Sequence, residues 1–389
     1  MADPYEFTRR FADQIYKCSR CGFCQAVCPV YGLTHRPVHN ARGKMLLLKE
    51  VLEGRLDFSR ELMEVLSQCT TCATCTQNCP SGMQVTEIIK AARRDMIKSG
   101  VCHPVFADMA RAIDEHGNVF GPAGSADFKG GRGQKAEYVF FLGCAGRYLA
   151  KKASRAAMGI LDLLGMDYTL VKESCCFGLP AEAGFDFRPD LVERNLKAIL
   201  STGAHSLITA CPHCFQVFNK STAYEPLRAA GVKVLHLSQL LAGIAWGVKT
   251  ELSVSFHDPC YLGRHAGLYE PPRQIIRQIA PGFVELPQSR AEALCCGAGG
   301  GAGRAFAQNS LALAGRVLAQ ARQAGAKVLL TDCHLCAHNL AQAMPAIGDI
   351  KVMTIAHLLG ELLGQGVTHE NLPRREANQV SPSDKRLSP

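Results

Sequence analysis

Apolar residues recur at helical spacing in the first hundred positions of the chain. This spacing predicts amphipathic helices over Arg42–Leu56, Arg60–Ser67 and Val85–Lys98, because side chains three and four residues apart share one face of a helix. Ser59 is placed to cap the second of these helices. We therefore expect residues 1–105 to form an all-helical domain.

From residue 136 onward the pattern changes to short apolar runs that alternate with helices. The predicted strands are Tyr138–Leu142, Tyr168–Val171, Ser206–Thr209, Val254–Phe256 and Val328–Thr331. The predicted helices are Lys151–Leu164, Asp190–Leu200, Arg273–Ile279 and Asn309–Ala324. Such alternation indicates α/β units with a mostly parallel sheet. The expected fold class is α+β and multidomain, with the helical domain in front of the α/β units.

The second α/β region repeats the first. Gly203–Cys211 reads GAHSLITAC and Gly325–Cys333 reads GAKVLLTDC, so internal duplication is the main organisational signal. The two predicted repeats span residues 136–245 and 246–365.

Two further segments complete the predicted organisation. Glycines crowd the stretch before the first repeat, which predicts a linker at residues 106–135. Residues 366–389 are polar and are predicted to be disordered.

Composition and charge narrow the function classes. The 389 residues are 47% hydrophobic, and the net charge is +9. That charge fits an acidic protein partner or an anionic membrane surface, but no basic run interleaved with aromatics points to nucleic acid. The first ten residues lack the apolar segment of a secretory signal, and no stretch approaches the roughly 18 apolar residues of a membrane helix. We expect a cytoplasmic location, with peripheral attachment to the inner face of the membrane as an option.

Nineteen cysteines carry the candidate chemistry. Eight follow the spacing C-x-x-C-x-x-C-x-x-x-C-P twice: Cys18, Cys21, Cys24 and Cys28, then Cys69, Cys72, Cys75 and Cys79. This is the two-cluster ferredoxin spacing, in which the fourth cysteine of each motif ligates the other cluster. It predicts two [4Fe–4S] clusters, one on Cys18, Cys21, Cys24 and Cys79, and the other on Cys69, Cys72, Cys75 and Cys28. Zinc is the alternative, but it has no use for eight cysteines in this repeated order.

Ten further cysteines fall into two groups of five with the same order. The groups are Cys144, Cys175, Cys176, Cys211 and Cys214, and Cys260, Cys295, Cys296, Cys333 and Cys336. Each group comes from three strand ends, and the carboxyl ends of parallel strands form the crevice where ligands bind. Gly178 and Gly297 allow the turn and the close backbone approach that adjacent cysteines need to reach one centre. Cys102 is left over as a free thiol.

These two groups resemble the cysteine-rich CCG domain, which occurs in duplicate in the catalytic subunit of heterodisulfide reductases. Residues 257–264 (HDPCYLGR) and 295–301 (CCGAGGG) carry the likeness. Together with the helical domain, the chain resembles the heterodisulfide reductase D subunit, the iron–sulfur subunit of glycolate oxidase, and the iron–sulfur oxidoreductases that work with electron-transfer flavoproteins. The resemblance implies one or two further [4Fe–4S] clusters, of the noncubane type, on the two five-cysteine groups.

Two departures from the family pattern affect the comparison. Phe177 separates the first cysteine pair from Gly178, where the family places glycine directly. The final C-x-x-C of the first group is complete, whereas it is often degenerate in the glycolate oxidase type. The architecture is therefore nearer to the heterodisulfide-like and flavoprotein-linked branch.

Other residues near the cysteines have more than one interpretation. His213 and His334, inside the last C-x-x-C of each group, are candidate proton donors, hydrogen-bond donors to cluster ligands, or simply exposed side chains. His257 is interpreted as a turn residue that fixes Cys260. The glycines at 297–303 are not a dinucleotide loop, because no acidic residue occurs between Ala293 and Thr331. We expect them to let backbone amides approach a cluster.

The leading hypothesis for function is an iron–sulfur electron-transfer subunit of an oxidoreductase complex. It would connect an FAD-containing flavoprotein that oxidises a 2-hydroxy acid such as glycolate or lactate, or an electron-transfer flavoprotein, with a quinone or a cytochrome b subunit. One alternative is a disulfide reductase that acts at a noncubane cluster. The other is a cluster scaffold or sensor without turnover.

Overall fold

The computed structural model describes residues 3–122, 128–131, 133–344, 348 and 350–364. The tail predicted at 366–389 lies outside the described residues. Within the described part of the chain, no helix combines the length and the apolar character needed to cross a bilayer.

The first domain contains helices and no strand among residues 3–116, which confirms the all-helical prediction. The α-helices are Glu6–Arg9, Ala12–Tyr16, Phe23–Ala26, Pro29–Thr34, Ala41–Leu52, Arg60–Ser67, Thr74–Gln77 and Val85–Lys98, with a 3₁₀ turn at Pro37–His39. Ser59 caps its helix as expected, by accepting a hydrogen bond from the amide of Leu62. The helix predicted to reach Leu56 ends at Leu52, because Gly54 adopts a left-handed φ of +71°.

The predicted linker at 106–135 begins inside a helix that runs over Pro104–His116. Phe106, Met109 and Ile113 are buried on one face of this helix and pack in the same cluster as Phe177 of the first repeat. The helix ends at Gly117, which has a φ of +68°. The first part of the linker segment therefore belongs to the packed structure.

Seven strands form two parallel sheets in the described part of the chain, as predicted for the α/β repeats. They are β1 (Tyr138–Phe141), β2 (Tyr168–Thr169), β3 (Ser206–Thr209), β4 (Lys233–His236), β5 (Val254–His257), β6 (Val328–Thr331) and β7 (Lys351–Thr354). The strand orders are β2-β1-β3-β4 and β5-β6-β7. The sequence prediction missed β4 and β7. Both are edge strands that begin with an exposed lysine, so neither shows the continuous apolar run of a buried strand.

Helices flank both sheets. Those of the first repeat are Gly143–Tyr148, Lys151–Leu163, Gly178–Ala183, Pro189–Leu200, Pro212–Lys220, Glu225–Ala229 and Leu237–Leu241, with a 3₁₀ turn at Thr222–Tyr224. Those of the second are Glu270–Ile279, Ala302–Ala305, Ala307–Gln323, His334–Ala343 and Ile355–Gly364, with a 3₁₀ turn at Arg290–Glu292. One continuous apolar cluster joins the repeats, and it includes Phe140 and Leu161 of the first and Phe256 and Leu358 of the second. The repeats therefore pack as one body.

Candidate metal centres

The first cavity brings together Cys18, Cys21, Cys24 and Cys79, three thiols from one motif and one from the other. Cys21 is exposed and the other three are half-buried. Gly22 has a φ of +92°, which turns the loop so that the three cysteines of the first motif point into one space.

The second cavity brings together Cys28, Cys69, Cys72 and Cys75. Its loop copies the first: Thr71 and Ala73 adopt left-handed φ values of +52° and +62°, where Arg20 and Gly22 have +57° and +92°. A left-handed non-glycine residue costs roughly 1–2 kcal/mol, so both loops are held in a strained shape that gathers their thiols. The two sets of four are those that the crossed ferredoxin pattern predicts. Their role as iron ligands stays a prediction.

A buried lysine lines the second cavity. Lys44 is 2% exposed, and its ammonium donates to the carbonyl of His39. Burial raises the pKa of the Cys28 thiol to about 11, and the charge of Lys44 opposes that rise. Four thiols around an apolar space with one cation suit a group that is held by thiolates and carries net negative charge. The residues present therefore fit an iron–sulfur cluster.

The two five-cysteine groups have matching geometry. Sγ of Cys176 lies 3.4 Å from Sγ of Cys214, and Sγ of Cys296 lies 3.2 Å from Sγ of Cys336. The backbone amide two residues after the first cysteine of each pair donates to that cysteine's sulfur, from Phe177 at 3.4 Å and from Gly297 at 3.3 Å. Only Cys144 and Cys260 of the ten are not fully buried. No disulfide joins cysteines in the described structure, so these sulfurs are free to bind metal.

The residue after each cysteine pair adopts a left-handed backbone. Gly297 has a φ of +90°, and a Cβ there would lie 2.5 Å from the carbonyl oxygen of Ser310. Phe177 occupies the matching place with a φ of +70°. The turn that the paired cysteines need is thus the same in both repeats, although the first repeat makes it with phenylalanine. At Gly178 a Cβ would lie 3.6 Å from Sγ of Cys176, so this position also borders the site.

The glycines at 297–303 also have a role that was not predicted, beside the amide of Gly297 that donates to the sulfur of Cys295. A Cβ at Gly300 would lie 2.4 Å from the carbonyl oxygen of Cys69, and one at Gly299 would lie 2.6 Å from that of Thr70. They let the second repeat pack directly on the backbone of the second ferredoxin motif. Across this contact the sulfur of Cys295 donates to the hydroxyl of Thr70 at 3.4 Å.

Two buried arginines, Arg93 and Arg264, support this contact. Arg93 is fully buried and donates to the carbonyls of Cys69 at 2.8 Å and Gly300 at 3.0 Å. Arg264 donates to the carbonyl of Cys72 at 2.6 Å and to that of Ala293 at 2.7 Å. Each arginine ties a cysteine of the ferredoxin motif to the second repeat. A charged residue on the apolar face of the helix Val85–Lys98 was the one available signal for Arg93.

The environments of His213 and His334, the two histidines inside the C-x-x-C steps, shift their pKa values in opposite directions. His213 is buried with Nε2 3.2 Å from Glu182, and its ring stacks on Tyr261 at 4.0 Å. Burial lowers the pKa of His213, but Glu182 and the thiols of Cys211 and Cys333 together raise it well above its usual value. Burial without such a carboxylate lowers the pKa of His334. Neither histidine is exposed. The interpretation of His213 and His334 as simply exposed side chains is therefore wrong.

His213 also connects the two five-cysteine groups. Its imidazole interacts with Cys211 of the first group and with Cys333 of the second. It lines an open cleft of about 580 Å³, where the helical domain meets both repeats. Cations at this cleft include Lys90 and Lys220.

His257 lies inside the second site. It ends β5, and one of its ring nitrogens, Sγ of Cys296 and Sγ of Cys336 all lie within 4.8 Å of one another. Burial lowers the pKa of His257 to about 4, so the imidazole is neutral at physiological pH. The sequence analysis gave it a turn role, because the residues after it, Asp-Pro, indicated a turn.

Comparisons with known proteins agree with these sites. The family model described as a 4Fe-4S dicluster domain matches residues 14–83, and the cysteine-rich CCG domain model matches residues 138–219 and 254–341. The D subunit of the dihydromethanophenazine:CoB–CoM heterodisulfide reductase of Methanosarcina acetivorans is 28% identical, over 91% of this chain and 95% of that protein. The EtfAB:quinone oxidoreductase of Syntrophomonas wolfei is 26% identical, over 73% of this chain and 48% of that protein.

A solved structure supports the fold alone. The crystal structure of a hypothetical protein from Helicobacter pylori superposes with a TM-score of 0.58 at 11% identity, and covers 96% of this chain and 80% of that one.

Fold and sites together define an iron–sulfur oxidoreductase subunit. The chain contains a [4Fe–4S] dicluster domain and two cysteine-rich CCG domains, and the predicted resemblance to the heterodisulfide reductase D subunit and to flavoprotein-linked iron–sulfur oxidoreductases is confirmed.

Proposed function

We propose that this chain is the electron-transfer subunit of a complex that links a flavoprotein to a quinone or a similar acceptor. The flavoprotein is either an oxidase of a 2-hydroxy acid or an electron-transfer flavoprotein. The likeness to the EtfAB:quinone oxidoreductase supports the second choice of donor. A cytoplasmic location, with or without attachment to the membrane, is part of this proposal.

The cysteines have the following roles in the proposal. The two crossed sets of four hold the two ferredoxin-type clusters, and the two groups of five hold one cluster each. Clusters bound at these sites would supply one-electron transfer. The sequence shows no motif for an organic cofactor, so the proposal assigns the redox chemistry to the clusters. The chain's own contribution is to fix the sites at close spacing and to exclude water from most of their thiols.

One observation carries the proposal: the second ferredoxin motif and the second repeat are in direct contact. Cys295 reaches Thr70, which stands between Cys69 and Cys72 in the chain. The glycines and arginines described above hold this contact at backbone distance. The arrangement joins the helical domain to the second repeat through one of its cysteine motifs.

The surface around the first cavity supports a protein partner. Cys21 is exposed there, and Phe23, Tyr16 and Leu46 expose 59%, 47% and 42% of their surface. A depression of about 320 Å³ beside the cavity is lined by Tyr16 and Leu46.

That depression is positively charged. Arg20, Arg42 and Lys49 line it, and no carboxylate does so among the described residues. Arg20 and Arg42 also line the first cysteine cavity. We infer that an acidic face of the flavoprotein binds here, because complementary charge steers association.

A second candidate function is reduction of a disulfide substrate. The cleft at His213 favours it, since His213 lines the cleft and also interacts with Cys211 and Cys333 of the two five-cysteine groups.

Anaerobic purification followed by iron and acid-labile sulfide analysis tests the cluster content. The proposal expects four [4Fe–4S] clusters per chain; two would refute ligation by the CCG domains. A spectroscopic redox titration of Cys295→Ser should lose one distinctive signal and keep the ferredoxin-type signals. Uniform loss of all signals would contradict separate sites. If no cluster changes redox state in an accessible range, the scaffold alternative replaces electron transfer.

A further inference from the structure

The two five-cysteine sites differ at one strand position that the duplication should have made equal. β1 and β5 are the corresponding first strands of the two repeats, and the first cysteine of each group follows the end of its strand by three positions. Phe141 pairs with Thr209 in the first sheet, and His257 pairs with Thr331 in the second. Phenylalanine and histidine thus occupy the same register.

At the first site this position is occupied by the apolar side chain of Phe141. Its side chain is fully buried in the cluster that contains Cys176, Cys211 and Cys214. Its ring packs edge-on against that of Phe218, with centroids 4.8 Å apart. At this strand position the first site therefore offers carbon and no metal-binding atom.

His257 gives the second site a nitrogen. The side chain is 1% exposed, and Nδ1 is buried without a hydrogen-bond partner among the described residues. Leaving a buried polar group unpaired is unfavourable, so the ring nitrogen calls for a partner.

Metal-binding sulfurs lie beside the ring of His257. A ring nitrogen of His257 and Sγ of Cys296 and Cys336 lie within 4.8 Å of one another, which is close enough for all three to contact one metal-containing group. Imidazole and thiolate are both established ligands of iron in iron–sulfur centres.

We propose that His257 binds iron at the second five-cysteine site, so that the two repeats hold chemically different centres, one with sulfur ligands alone and one with an added nitrogen. This inference rests on the proposed function, because it presupposes a cluster in each repeat. Nitrogen ligation raises the reduction potential of an iron–sulfur centre relative to all-sulfur ligation. The second site would therefore have the higher potential of the two, and it is the site in contact with the ferredoxin motif.

The test uses the intact, anaerobically purified protein, grown once with ordinary and once with ¹⁵N-labelled histidine. Pulsed electron paramagnetic resonance on the signal that Cys295→Ser removes should show a strong histidine nitrogen coupling that changes with the isotope. Absence of that coupling in the wild-type protein overturns the proposal without any variant.

Variants locate the nitrogen. His257→Phe, which copies the first repeat, should abolish the coupling and lower the midpoint potential of the second-site signal, while the iron content stays the same. The control His338→Phe, on the helix that carries Cys336, should keep both. Coupling that survives in His257→Phe overturns the assignment. Phe141→His should introduce a second coupling, and failure to do so would show that this strand position does not set the difference.

Iron and sulfide analysis distinguishes a failure of the proposed cluster content from a failure of the His257 assignment. Iron and sulfide for only the two ferredoxin-type clusters would overturn the cluster content of the proposed function. Full iron and sulfide without a histidine coupling would overturn only the role of His257.

Discussion

Glu182 accepts a hydrogen bond from the backbone amide of Gly300 at 2.9 Å, across 118 positions of sequence. The same carboxylate accepts from the hydroxyl of Thr71 at 3.1 Å and lies 3.2 Å from His213. Glu182 belongs to the first repeat, Gly300 to the second and Thr71 to the helical domain. One buried carboxylate thus joins all three parts of the protein at the point where their cysteine sites meet.

We expect Glu182→Ala to destabilise the protein by about 3–5 kcal/mol, because removing one member of a buried polar network leaves the others unpaired. Denaturant unfolding of the cluster-loaded protein, followed by circular dichroism and by loss of visible absorbance, measures the effect. Glu193→Ala is the matched control, since Glu193 is exposed on the helix Pro189–Leu200. Equal stability of the two variants would show that the Glu182 network does not hold the three parts together.

The contact between the second repeat and the ferredoxin motif leads to a second prediction. Gly300 and Gly203 both have left-handed φ values, +64° and +72°, so alanine strains both by roughly 1–2 kcal/mol. A Cβ at Gly300 would also lie 2.4 Å from the carbonyl oxygen of Cys69, whereas a Cβ at Gly203 meets nothing within 4 Å. Thermal unfolding should therefore show a larger loss for Gly300→Ala than for Gly203→Ala. Equal losses of thermal stability in the two variants would mean that the backbone near Cys69 moves to accommodate the added Cβ without further destabilisation.

Gly300→Ala should also slow electron exchange between the helical domain and the second repeat. The added carbon pushes the glycine run away from Cys69. This movement also breaks the contact between Cys295 and Thr70. Rapid-freeze spectroscopy after partial reduction measures the rate at which the second-site signal appears. An unchanged rate would count against this contact as the route.

The third prediction concerns the positively charged depression beside the first cysteine cavity, which Arg20, Arg42 and Lys49 line. Arg20→Glu should weaken binding of the flavoprotein subunit, purified from the native complex, by about 3–10-fold at low salt, because rim charges of an interface act over roughly 10 Å at 0.1 M ionic strength. Titration calorimetry at two salt concentrations measures the change, which should shrink at the higher one. Lys233→Glu alters net charge equally on an exposed strand edge of the first repeat and should leave binding unchanged. Equal weakening by both variants would place the partner elsewhere.

Binding to anionic lipid vesicles instead of the flavoprotein would make this face a membrane contact.

Local signals explain which parts of the structure were predictable. The helix Arg60–Ser67 and the strands Ser206–Thr209 and Val328–Thr331 have the predicted bounds, because a capping serine or a fully buried apolar run fixes them within a few residues. The cysteine sets were predictable because the spacing inside each motif is local and the two-cluster pattern assigns the fourth cysteine of each motif to the other set.

Contacts between distant segments were not predictable. Nothing around Glu182 indicates that its carboxylate meets Gly300 and Thr71, and nothing around Arg93 indicates that it meets Cys69. The glycines at 297–303 were correctly expected to allow close approach, but the approaching group is the backbone of a motif far earlier in the chain. Such contacts depend on the dense packing of the whole interior, which no local pattern specifies.

Lys44 provides the last prediction, which concerns the second cysteine cavity. Lys44 is 2% exposed and lines the same cavity as Cys28, Cys69 and Cys75. A buried positive charge stabilises the more negative, reduced state of a nearby redox centre, so it raises the midpoint potential. Lys44→Met keeps the length and the apolar stem of the side chain but removes the charge, and one ferredoxin-type signal should shift to a lower potential.

A redox titration monitored by electron paramagnetic resonance measures that shift. Lys49→Met, about one turn further along the same helix and only half-buried, should move the potentials much less, because solvent screens its charge. The shift should affect the signal that Cys72→Ser removes and spare the signal that Cys18→Ser removes, since Lys44 lines the second cavity and not the first. A shift in both signals, or in neither, would contradict the assignment of Lys44 to the cluster on Cys28, Cys69, Cys72 and Cys75.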